Sequence, residues 1–248
     1  MQKLDQVDKY WAARALTFVE AAEVAHTPDQ VLKVFSHEIA QVGFYAHLMI
    51  VLDSREFSRR VLANGWHPEW TAVYTKEKLA DDDPVPRHTL RSINPFLWRE
   101  APYDSEAEPR ALTVMRRAVD FGMTEGFCVP IHHGDGSVAG VSIAGERPDL
   151  GHGVRAALHL MSLAAHNRVR GLLRLGPTVQ HALTPREREV LRWMAVGKTA
   201  WEIGEILDIA EVTVNTHISA AQRKLNAVNR ASTIVNAIRA GEVSLSDL

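Results

Sequence analysis

A stretch of alternating apolar and polar residues near the C-terminus has the residue types needed to read DNA. Its apolar members, Val214, Ile218 and Leu225, are spaced to pack inward from one face of a helix. Its polar members are then left pointing outward: Thr213, Asn215, Thr216 and Ser219. An asparagine can make two hydrogen bonds to adenine in the major groove, and hydroxyl groups can bond bases or phosphates. The alternative is a plain helical hairpin with a solvated polar face.

Phosphate groups of DNA would need positive charge and free backbone amides around this stretch. Basic side chains are available at Lys198, Arg223 and Lys224, and Thr199 is placed to cap a helix whose N-terminal amides can hold a phosphate oxygen. The net charge neither supports nor excludes DNA binding, because residues 177–248 contain eight basic and eight acidic residues and the whole chain has a net charge of −2. DNA binding must therefore depend on local arrangement.

The sequence contains no pattern that indicates catalysis or a metal. His132 and His133 lie near Cys128, but in a strand only His132 shares the face of Cys128, which disfavours a zinc site. Cys128 is the single cysteine and is interpreted as a small apolar residue of the core. There is no glycine-rich phosphate loop, no Ser-His-Asp order and no HExxH motif. We therefore predict a protein that is not an enzyme and needs no metal or cofactor.

Composition and periodicity predict two domains. Apolar residues make up 46% of the chain and charged residues 23%. No uncharged apolar run approaches the roughly 18 residues of a membrane span, and the N-terminus lacks the apolar core of a secretory signal. A cytoplasmic protein is therefore expected. The predicted fold class is α+β, with an N-terminal α/β/α sandwich around a small antiparallel sheet and a C-terminal all-α four-helix domain with a helix-turn-helix. The predicted domains are residues 1–173 and 184–248, joined by a linker at 174–183.

The predicted elements follow from hydrophobic periodicity and from cap and turn residues. In the first domain the helices are placed at 5–26, 27–43, 106–122 and 153–175, and the strands at 45–53, 59–63, 126–131 and 138–144. In the second domain the helices are placed at 187–196, 201–207, 212–225 and 230–240.

The C-terminal segment resembles the DNA-binding domain of the LuxR family of transcription regulators. The resemblance rests on LTPREREVLRWMAVGKTAWEIGEIL followed by TVNTHISAAQRKLNAVNR, in which Glu187, Leu191 and Gly197 stand at the family's most characteristic positions. Glu187 is expected to pair with a basic residue of the same bundle, Leu191 to fill its core and Gly197 to permit the turn between helices. Asn215 departs from the family, which often has Lys or Arg there, so the base preference stays open.

Residues 10–170 resemble the domains that bind N-acyl-homoserine lactones in quorum-sensing members of this family. The resemblance rests on Trp70-x-x-x-Tyr74, Asp83-Pro84, Phe96-x-Trp98, Gly126 and Ser142. It implies a ligand pocket formed by Trp66, Trp70, Tyr74, Asp83, Pro84, Trp98, Gly126, Cys128 and Ser142. In this pocket Asp83 would accept a hydrogen bond from the ligand amide, Trp98 would donate to the lactone carbonyl, and Ser142 would donate to the acyl carbonyl. Without the resemblance, the aromatic residues would be simple core.

Trp66 departs from the pattern of the ligand-binding domains, which often have a tyrosine at this position that contacts the acyl carbonyl. An indole N–H could still donate, but the bulkier ring changes the pocket. Together with NGW, DPVPRH and APYD, this residue resembles the subgroup that responds to branched or aryl acyl groups. We predict this preference over long linear chains.

The sequence thus predicts a ligand-responsive, sequence-specific transcription regulator. It would bind an inverted-repeat operator in double-stranded DNA as a homodimer, with dimer surfaces on the helices at 153–175 and 230–240. One alternative is a ligand-independent DNA-binding regulator of the same family. The other is an enzyme that transforms a lactone or aromatic acid, which would need a nucleophile or metal near Asp83 that the sequence does not offer.

Overall fold

The structure is a computed structural model that describes residues 6–53, 58–134, 136–173 and 183–244. These residues form two compact units, one made of residues that precede position 174 and one made almost entirely of residues that follow position 182. The predicted linker at 174–183 lies outside the described residues except for Leu183. Within the described ranges, no helix is both long enough and apolar enough to cross a membrane.

The first unit is an α/β/α sandwich, as predicted. Its strands are β1 (Phe44–Asp53), β2 (Ser58–Asn64), β3 (Phe96–Leu97), β4 (Glu125–His132) and β5 (Val138–Gly145). Its helices are α1 (Gln6–Val24), α2 (Pro28–Ala40), α3 (Pro68–Lys76), α4 (Pro84–Thr89), α5 (Pro109–Asp120) and α6 (His152–Leu172), and short 3₁₀ turns lie at Leu79–Asp81 and Trp98–Glu100.

The described strands form one antiparallel sheet in the order β2-β1-β5-β4-β3. One face of this sheet, which includes Met49, Val129 and Val141, packs with α1, α2 and α6. The other face, which includes Cys128 and Ala144, packs with residues of α3, α4 and α5. The period of two along each strand separates these faces, so that the second face is available to build a site.

Proline and cap residues set where the helices begin. Thr27 caps α2, because its hydroxyl accepts the Gln30 N–H at 3.3 Å and Pro28 takes the first helical position, as predicted. The helix expected from residue 106 instead begins at Pro109, because the Asp104 carboxylate accepts the N–H groups of Glu106 and Ala107 in a preceding turn. The two-residue strand β3 was not predicted, since so short a strand has no readable periodicity.

The second unit is a bundle of α7 (Pro185–Ala195), α8 (Ala200–Leu207), α9 (Glu211–Lys224) and α10 (Arg230–Arg239). Capping boxes start α7 at Thr184 and Glu187 and α8 at Thr199 and Glu202. Gly197 has a φ of +96°, so the turn between α7 and α8 uses the left-handed conformation that favours glycine. Leu191, Val214 and Ile218 are buried in the core, as predicted.

His166 on α6 is a buried histidine that ties the first unit's stability to pH. It is fully buried, and its Nε2 lies 3.1 Å from Nε2 of His133, the residue that follows β4. Burial, with smaller contributions from His133 and Arg170, lowers the pKa of His166 from 6.5 to about 4. Between pH 6.5 and pH 4 the unfolded chain therefore binds a proton at His166 that the folded chain does not bind. The free energy of unfolding is consequently unaffected by His166 above about pH 6.5 and decreases as the pH falls towards 4.

We expect the free energy of unfolding to fall by about 2 kcal/mol between pH 7 and pH 5 because of His166. Denaturant unfolding of the full chain at both pH values measures this loss, and His166→Leu should remove most of it. The exposed His26→Gln is the matched control and should retain the loss. An equal pH dependence in wild type and His166→Leu would contradict the assignment.

Candidate functional site

A cavity of about 500 Å³ lies between the second face of the sheet and the elements α3, α4 and α5. Seven of the nine residues predicted for the pocket line it: Trp66, Trp70, Tyr74, Asp83, Trp98, Cys128 and Ser142. The remaining lining is mostly apolar and comes from every surrounding element: Leu48, Ile50, Leu52, Val61, Ala80, Val85, Pro86, Val114, Met115, Ala118 and Gly140, with Asn64, Thr71, Thr75, Lys78, Asp81 and Thr89.

The register of the strands orders the floor of the cavity into two rows. The first row contains Leu48, Ser142 and Cys128, since Ser142 pairs with Leu48 on one side and with Cys128 on the other. The second row contains Ile50 and Gly140, which are also paired, and lies two residues further along the strands. The Ser142 hydroxyl in the first row therefore lies next to a second row that is entirely apolar.

Three large aromatic residues form one wall. The ring centroid of Trp66 lies 6.0 Å from that of Trp70 and 5.0 Å from that of Tyr74, and the last two are 5.5 Å apart. Trp70 is 2% exposed, yet its indole N–H has no hydrogen-bond partner among the described residues. A buried donor without a partner is costly, so this N–H is a candidate to bind a ligand acceptor.

Asp83 holds its carboxylate in a fixed position at the cavity. One oxygen, Oδ1, accepts the Val85 N–H at 2.8 Å and so caps α4. The other oxygen, Oδ2, accepts the Tyr74 hydroxyl at 2.8 Å. A carboxylate oxygen can accept more than one hydrogen bond, so these contacts orient the group and leave it able to accept an amide N–H.

Trp98 is bonded to Ser142, because its indole N–H donates to Ser142 Oγ at 2.9 Å. Gly126 lies beneath the Trp98 ring, where a Cβ atom would overlap it. Gly126 and Pro84, the other two residues predicted for the pocket, are not among the residues that line the cavity. Gly126 instead makes room for Trp98, and Pro84 is the buried first residue of α4.

Cys128 belongs to the cavity floor but not to a nucleophilic site. Burial raises the pKa of its thiol to about 12, although a contact of 3.3 Å with the Thr89 hydroxyl acts in the opposite direction. The thiol is therefore protonated at neutral pH. His132 and His133 point to different neighbours, Ser92 and His166, and the described ranges contain no group of three or more potential metal ligands.

The exposed face of α9 carries the predicted base-reading residues. Asn215, Thr216 and Ser219 are exposed, whereas Thr213 is half-buried. The Thr216 hydroxyl donates to the Val212 carbonyl at 2.9 Å, so it can only accept from DNA in this conformation. Val212 is 76% exposed on the same face and was missed by the sequence reasoning, although a methyl group there could contact thymine.

One of the predicted phosphate-binding cations, Lys224, is engaged within the bundle. Lys224 Nζ lies 2.7 and 2.9 Å from the two carboxylate oxygens of the buried Glu187, which confirms that Glu187 pairs with a basic residue. Burial raises the pKa of Glu187, but hydrogen bonds from Lys224 and Thr184 outweigh it, so that the pKa lies below its usual value. Lys224 is therefore not an uncommitted cation, and its predicted phosphate contact would compete with this ion pair.

The other predicted phosphate contacts differ in their availability. Lys198 Nζ lies 3.1 Å from Glu202, in a surface pair between half-exposed side chains, and such a pair is readily exchanged for a phosphate. Thr199 caps α8, with its hydroxyl within 2.9 Å of Glu202. Arg223 is exposed at the end of α9 and makes no ion pair with any residue that the structure describes.

Comparison with known families assigns a separate match to each unit. Residues 27–169, which include all the cavity residues, match the family described as autoinducer binding domain. Residues 181–237, which include α7 to α9, match the family described as bacterial regulatory proteins, luxR family.

Two curated relatives match nearly the whole chain. The HTH-type quorum sensing-dependent transcriptional regulator RpaR of Rhodopseudomonas palustris is 45% identical over 240 residues, which cover 96% of this chain and 98% of the relative. The transcriptional activator protein BjaR1 of Bradyrhizobium diazoefficiens is 42% identical over 231 residues, covering 92% of this chain and 96% of the relative. A crystal structure of Escherichia coli SdiA shares the fold, with a TM-score of 0.75, 21% identity and coverage of 93% of this chain and 98% of that one.

Proposed function

The chain belongs to the LuxR family of quorum-sensing transcription regulators, and from this premise we propose that its autoinducer is an N-acyl-homoserine lactone. Its first unit contains the autoinducer-binding domain and its second unit the helix-turn-helix DNA-binding domain. The protein is a regulator and not an enzyme, in agreement with its relatives. We propose domain limits of 1–173 and 184–248 with a linker at 174–183, and a cytoplasmic location, where the DNA is.

The observation that carries the ligand proposal is the set of polar groups in a cavity whose lining is mostly apolar. The Asp83 carboxylate matches the amide N–H of an acyl-homoserine lactone, and the unpartnered Trp70 N–H matches a carbonyl. Ser142 Oγ accepts from Trp98 and keeps its own hydrogen to donate to a second carbonyl. The apolar floor and wall then accommodate the acyl group.

This assignment differs from the sequence prediction in the roles of two tryptophans. Trp98 was expected to donate to the lactone carbonyl, but its only N–H is bonded to Ser142. We therefore assign the lactone carbonyl to Trp70, and we assign Trp98 the positioning of the Ser142 hydroxyl. Pre-oriented donors lower the entropic cost of binding, because they need no rearrangement when the ligand arrives.

The DNA-binding proposal is a homodimer on an inverted repeat. A twofold dimer presents two α9 helices to half-sites about 34 Å apart. Candidate dimer surfaces are α6 and α10, which have the exposed apolar side chains Leu160 and Val235 respectively. The alternative of a ligand-independent regulator is tested by measuring DNA binding with and without ligand.

The experiment is titration of the purified full-length protein with homoserine lactones that carry branched, aryl or long linear acyl groups, followed by calorimetry and by DNA binding. We expect binding with micromolar or lower Kd, strongest for branched or aryl groups because the Trp66 ring occupies space at the wall. Equal DNA binding with and without a bound ligand would favour the ligand-independent alternative. No binding of any acyl-homoserine lactone would overturn the proposal.

Replacing Trp70 by Phe should weaken lactone binding about tenfold. The change removes the donor but keeps an aromatic ring, and the loss of one hydrogen bond to a buried acceptor costs about 1 to 3 kcal/mol. Thermal unfolding without ligand should be little affected by the missing N–H, since that N–H has no partner in the protein to lose. Unchanged ligand affinity in Trp70→Phe would contradict the assignment.

A further inference from the structure

His47 is a buried histidine on the face of the sheet opposite the cavity. It pairs in β1 with Ile143, whose side chain belongs to the core beside α1, α2 and α6, whereas the next residue, Leu48, lines the cavity. Its ring meets that of Phe35 in α2 edge to face, with centroids 5.9 Å apart, and its Nδ1 lies 3.5 Å from the Ser36 hydroxyl. Burial lowers the pKa of His47, so the ring is neutral at pH 7. It therefore packs as an aromatic group between α2 and the sheet.

Gly65 is a glycine that this ring requires. It follows β2, and its N–H donates to the His47 carbonyl at 2.8 Å, so the two residues are neighbours across the strands. Its φ is not positive, so the backbone itself does not demand a glycine. A Cβ atom at position 65, however, would lie 2.2 Å from Cε1 and 2.5 Å from Nδ1 of His47, far inside van der Waals contact. The His47 ring thus occupies the place of a side chain at position 65.

The turn at Gly65 presents Trp66 to the cavity. The Trp66 N–H donates to Asn64 Oδ1 at 3.0 Å, and Asn64 Nδ2 donates to Thr71 Oγ1 at 3.2 Å. The Trp66 ring itself is half-buried and lies against the two aromatic rings of α3 that complete the wall. Its position therefore depends on the backbone that enters from Gly65.

We propose that His47 is a positioning residue for acyl recognition: it fixes the turn at Gly65 and, through that turn, the place of the Trp66 ring in the cavity. This inference rests on the proposed function, because it takes the acyl group to lie against the aromatic wall. It goes further by assigning a role in ligand selectivity to a residue that does not line the cavity.

Gly65→Ala should reveal this dependence. The His47 ring is 7% exposed and has Phe35 beside it, so the new methyl group moves the turn more readily than the ring. A Trp66 ring displaced outwards would lose its contact with the acyl group, and one displaced inwards would fill the space of that group. Either displacement weakens acyl binding, whereas the polar groups that we assign to the lactone head lie on other elements and are kept.

The first measurement compares acetyl- and phenylacetyl-homoserine lactone, which differ only by a phenyl ring, by calorimetry on the full chain. The ratio of the acetyl Kd to the phenylacetyl Kd should fall at least about fivefold in Gly65→Ala. Gly65→Ala/His47→Ala frees the space of the ring and should restore the ratio to within about twofold of wild type. In a Trp66→Ala background, Gly65→Ala should have no further effect on the ratio, because the side chain through which it acts is missing.

Gly171→Ala is the matched control for the added methyl group. A Cβ atom at this exposed position of α6 would meet no atom within 4 Å, so the ratio of the two Kd values should equal that of wild type.

The second measurement needs no ligand. With 5-fluorotryptophan in place of the six tryptophans, fluorine NMR reports on each indole, and Trp66→Phe identifies the resonance of Trp66. This resonance should shift in Gly65→Ala and return towards its wild-type position in Gly65→Ala/His47→Ala. It should not shift in Gly171→Ala.

Several outcomes would overturn the inference. They are an unmoved Trp66 resonance in Gly65→Ala, equal losses for the two lactones, and a double variant that restores neither readout. If Gly65→Ala does not fold, His47→Ala decides, because it removes the ring beside the turn and should itself shift the Trp66 resonance. A wild-type protein that binds neither lactone nor any other acyl-homoserine lactone would instead overturn the proposed function, and the resonance would still decide whether His47 positions Trp66.

Discussion

Asp83→Asn is expected to lower the affinity for the acyl-homoserine lactone by about 10- to 150-fold, without unfolding the protein. A hydrogen bond to a charged group contributes about 1.5 to 3 kcal/mol, and this substitution removes the charge of the acceptor. The ligand amide would then meet a neutral group, one side of which carries N–H donors instead of an acceptor. The loss should appear for every acyl group, since the lactone amide is common to all of them.

The structure explains why the asparagine variant should fold. Oδ1 of the new side chain can still accept the Val85 N–H and cap α4, which Asp83 does at 2.8 Å. The amide nitrogen would replace Oδ2 and donate to the Tyr74 hydroxyl, which can reverse its own hydrogen. Both local contacts are preserved, so a change in ligand affinity reports on the ligand.

Asp82→Asn is the matched control for this experiment. Asp82 is the neighbouring residue, but its carboxylate bonds Arg110 at 2.6 Å and does not line the cavity. Calorimetric titration of Asp82→Asn should give the wild-type Kd. If folded Asp83→Asn binds as tightly as wild type, the carboxylate does not contact the amide and the orientation of the ligand must be revised.

The sequence was sufficient to predict the strands that form the floor of this site. The alternation of β1, β4 and β5 correctly placed Ser142 and Cys128 on one face, because a period of two leaves no other arrangement for a sheet with one helix layer on each side. The same alternation placed Gly140 beside Ser142, and in retrospect it was the signal that could have added Gly140 to the predicted pocket. The short strand β3 and the start of α5 were decided by local hydrogen bonds that periodicity does not reveal.

The choice between chemically equivalent side chains required the folded structure. Trp70 and Trp98 are both buried indoles of the cavity wall, and only tertiary contacts show that Trp98 donates to Ser142 whereas the Trp70 N–H is unpartnered. Arg223 and Lys224 are adjacent cations, and only the packing of α7 against α9 places Lys224 on Glu187. Side chains such as Thr89 and Val61 reach the cavity from distant parts of the chain, so no local pattern predicts them.

Asn215→Ala should cost about 1 to 3 kcal/mol of binding free energy on the preferred operator and should relax the preference at one base pair. Asn215 and Ser219 are four residues apart and exposed on the same face of α9, so both can reach base edges. An asparagine that makes two hydrogen bonds to adenine discriminates against other bases, whereas alanine does not. Random DNA should be bound equally well by the variant and by wild type.

Arg223→Ala is the control for a phosphate contact. Its exposed guanidinium forms no ion pair with the residues described in the second unit, so we expect it to release counterions from DNA. This variant should weaken binding to all sequences alike and lower the slope of log K against log salt by about one. Lys224→Ala is unsuitable, because it would leave the buried carboxylate of Glu187 without the cation that neutralises it and destabilise the bundle.

The contrast between the two variants should be clear in a salt titration, because residues 177–248 have no net charge and nonspecific binding should be weak. Fluorescence anisotropy measures the affinity for the operator, for single-base variants of the operator and for random DNA, each at several salt concentrations. Asn215→Ala should leave the salt slope unchanged, since it removes no charge. Equal losses on operator and random DNA for Asn215→Ala would show that a different face of α9 enters the groove.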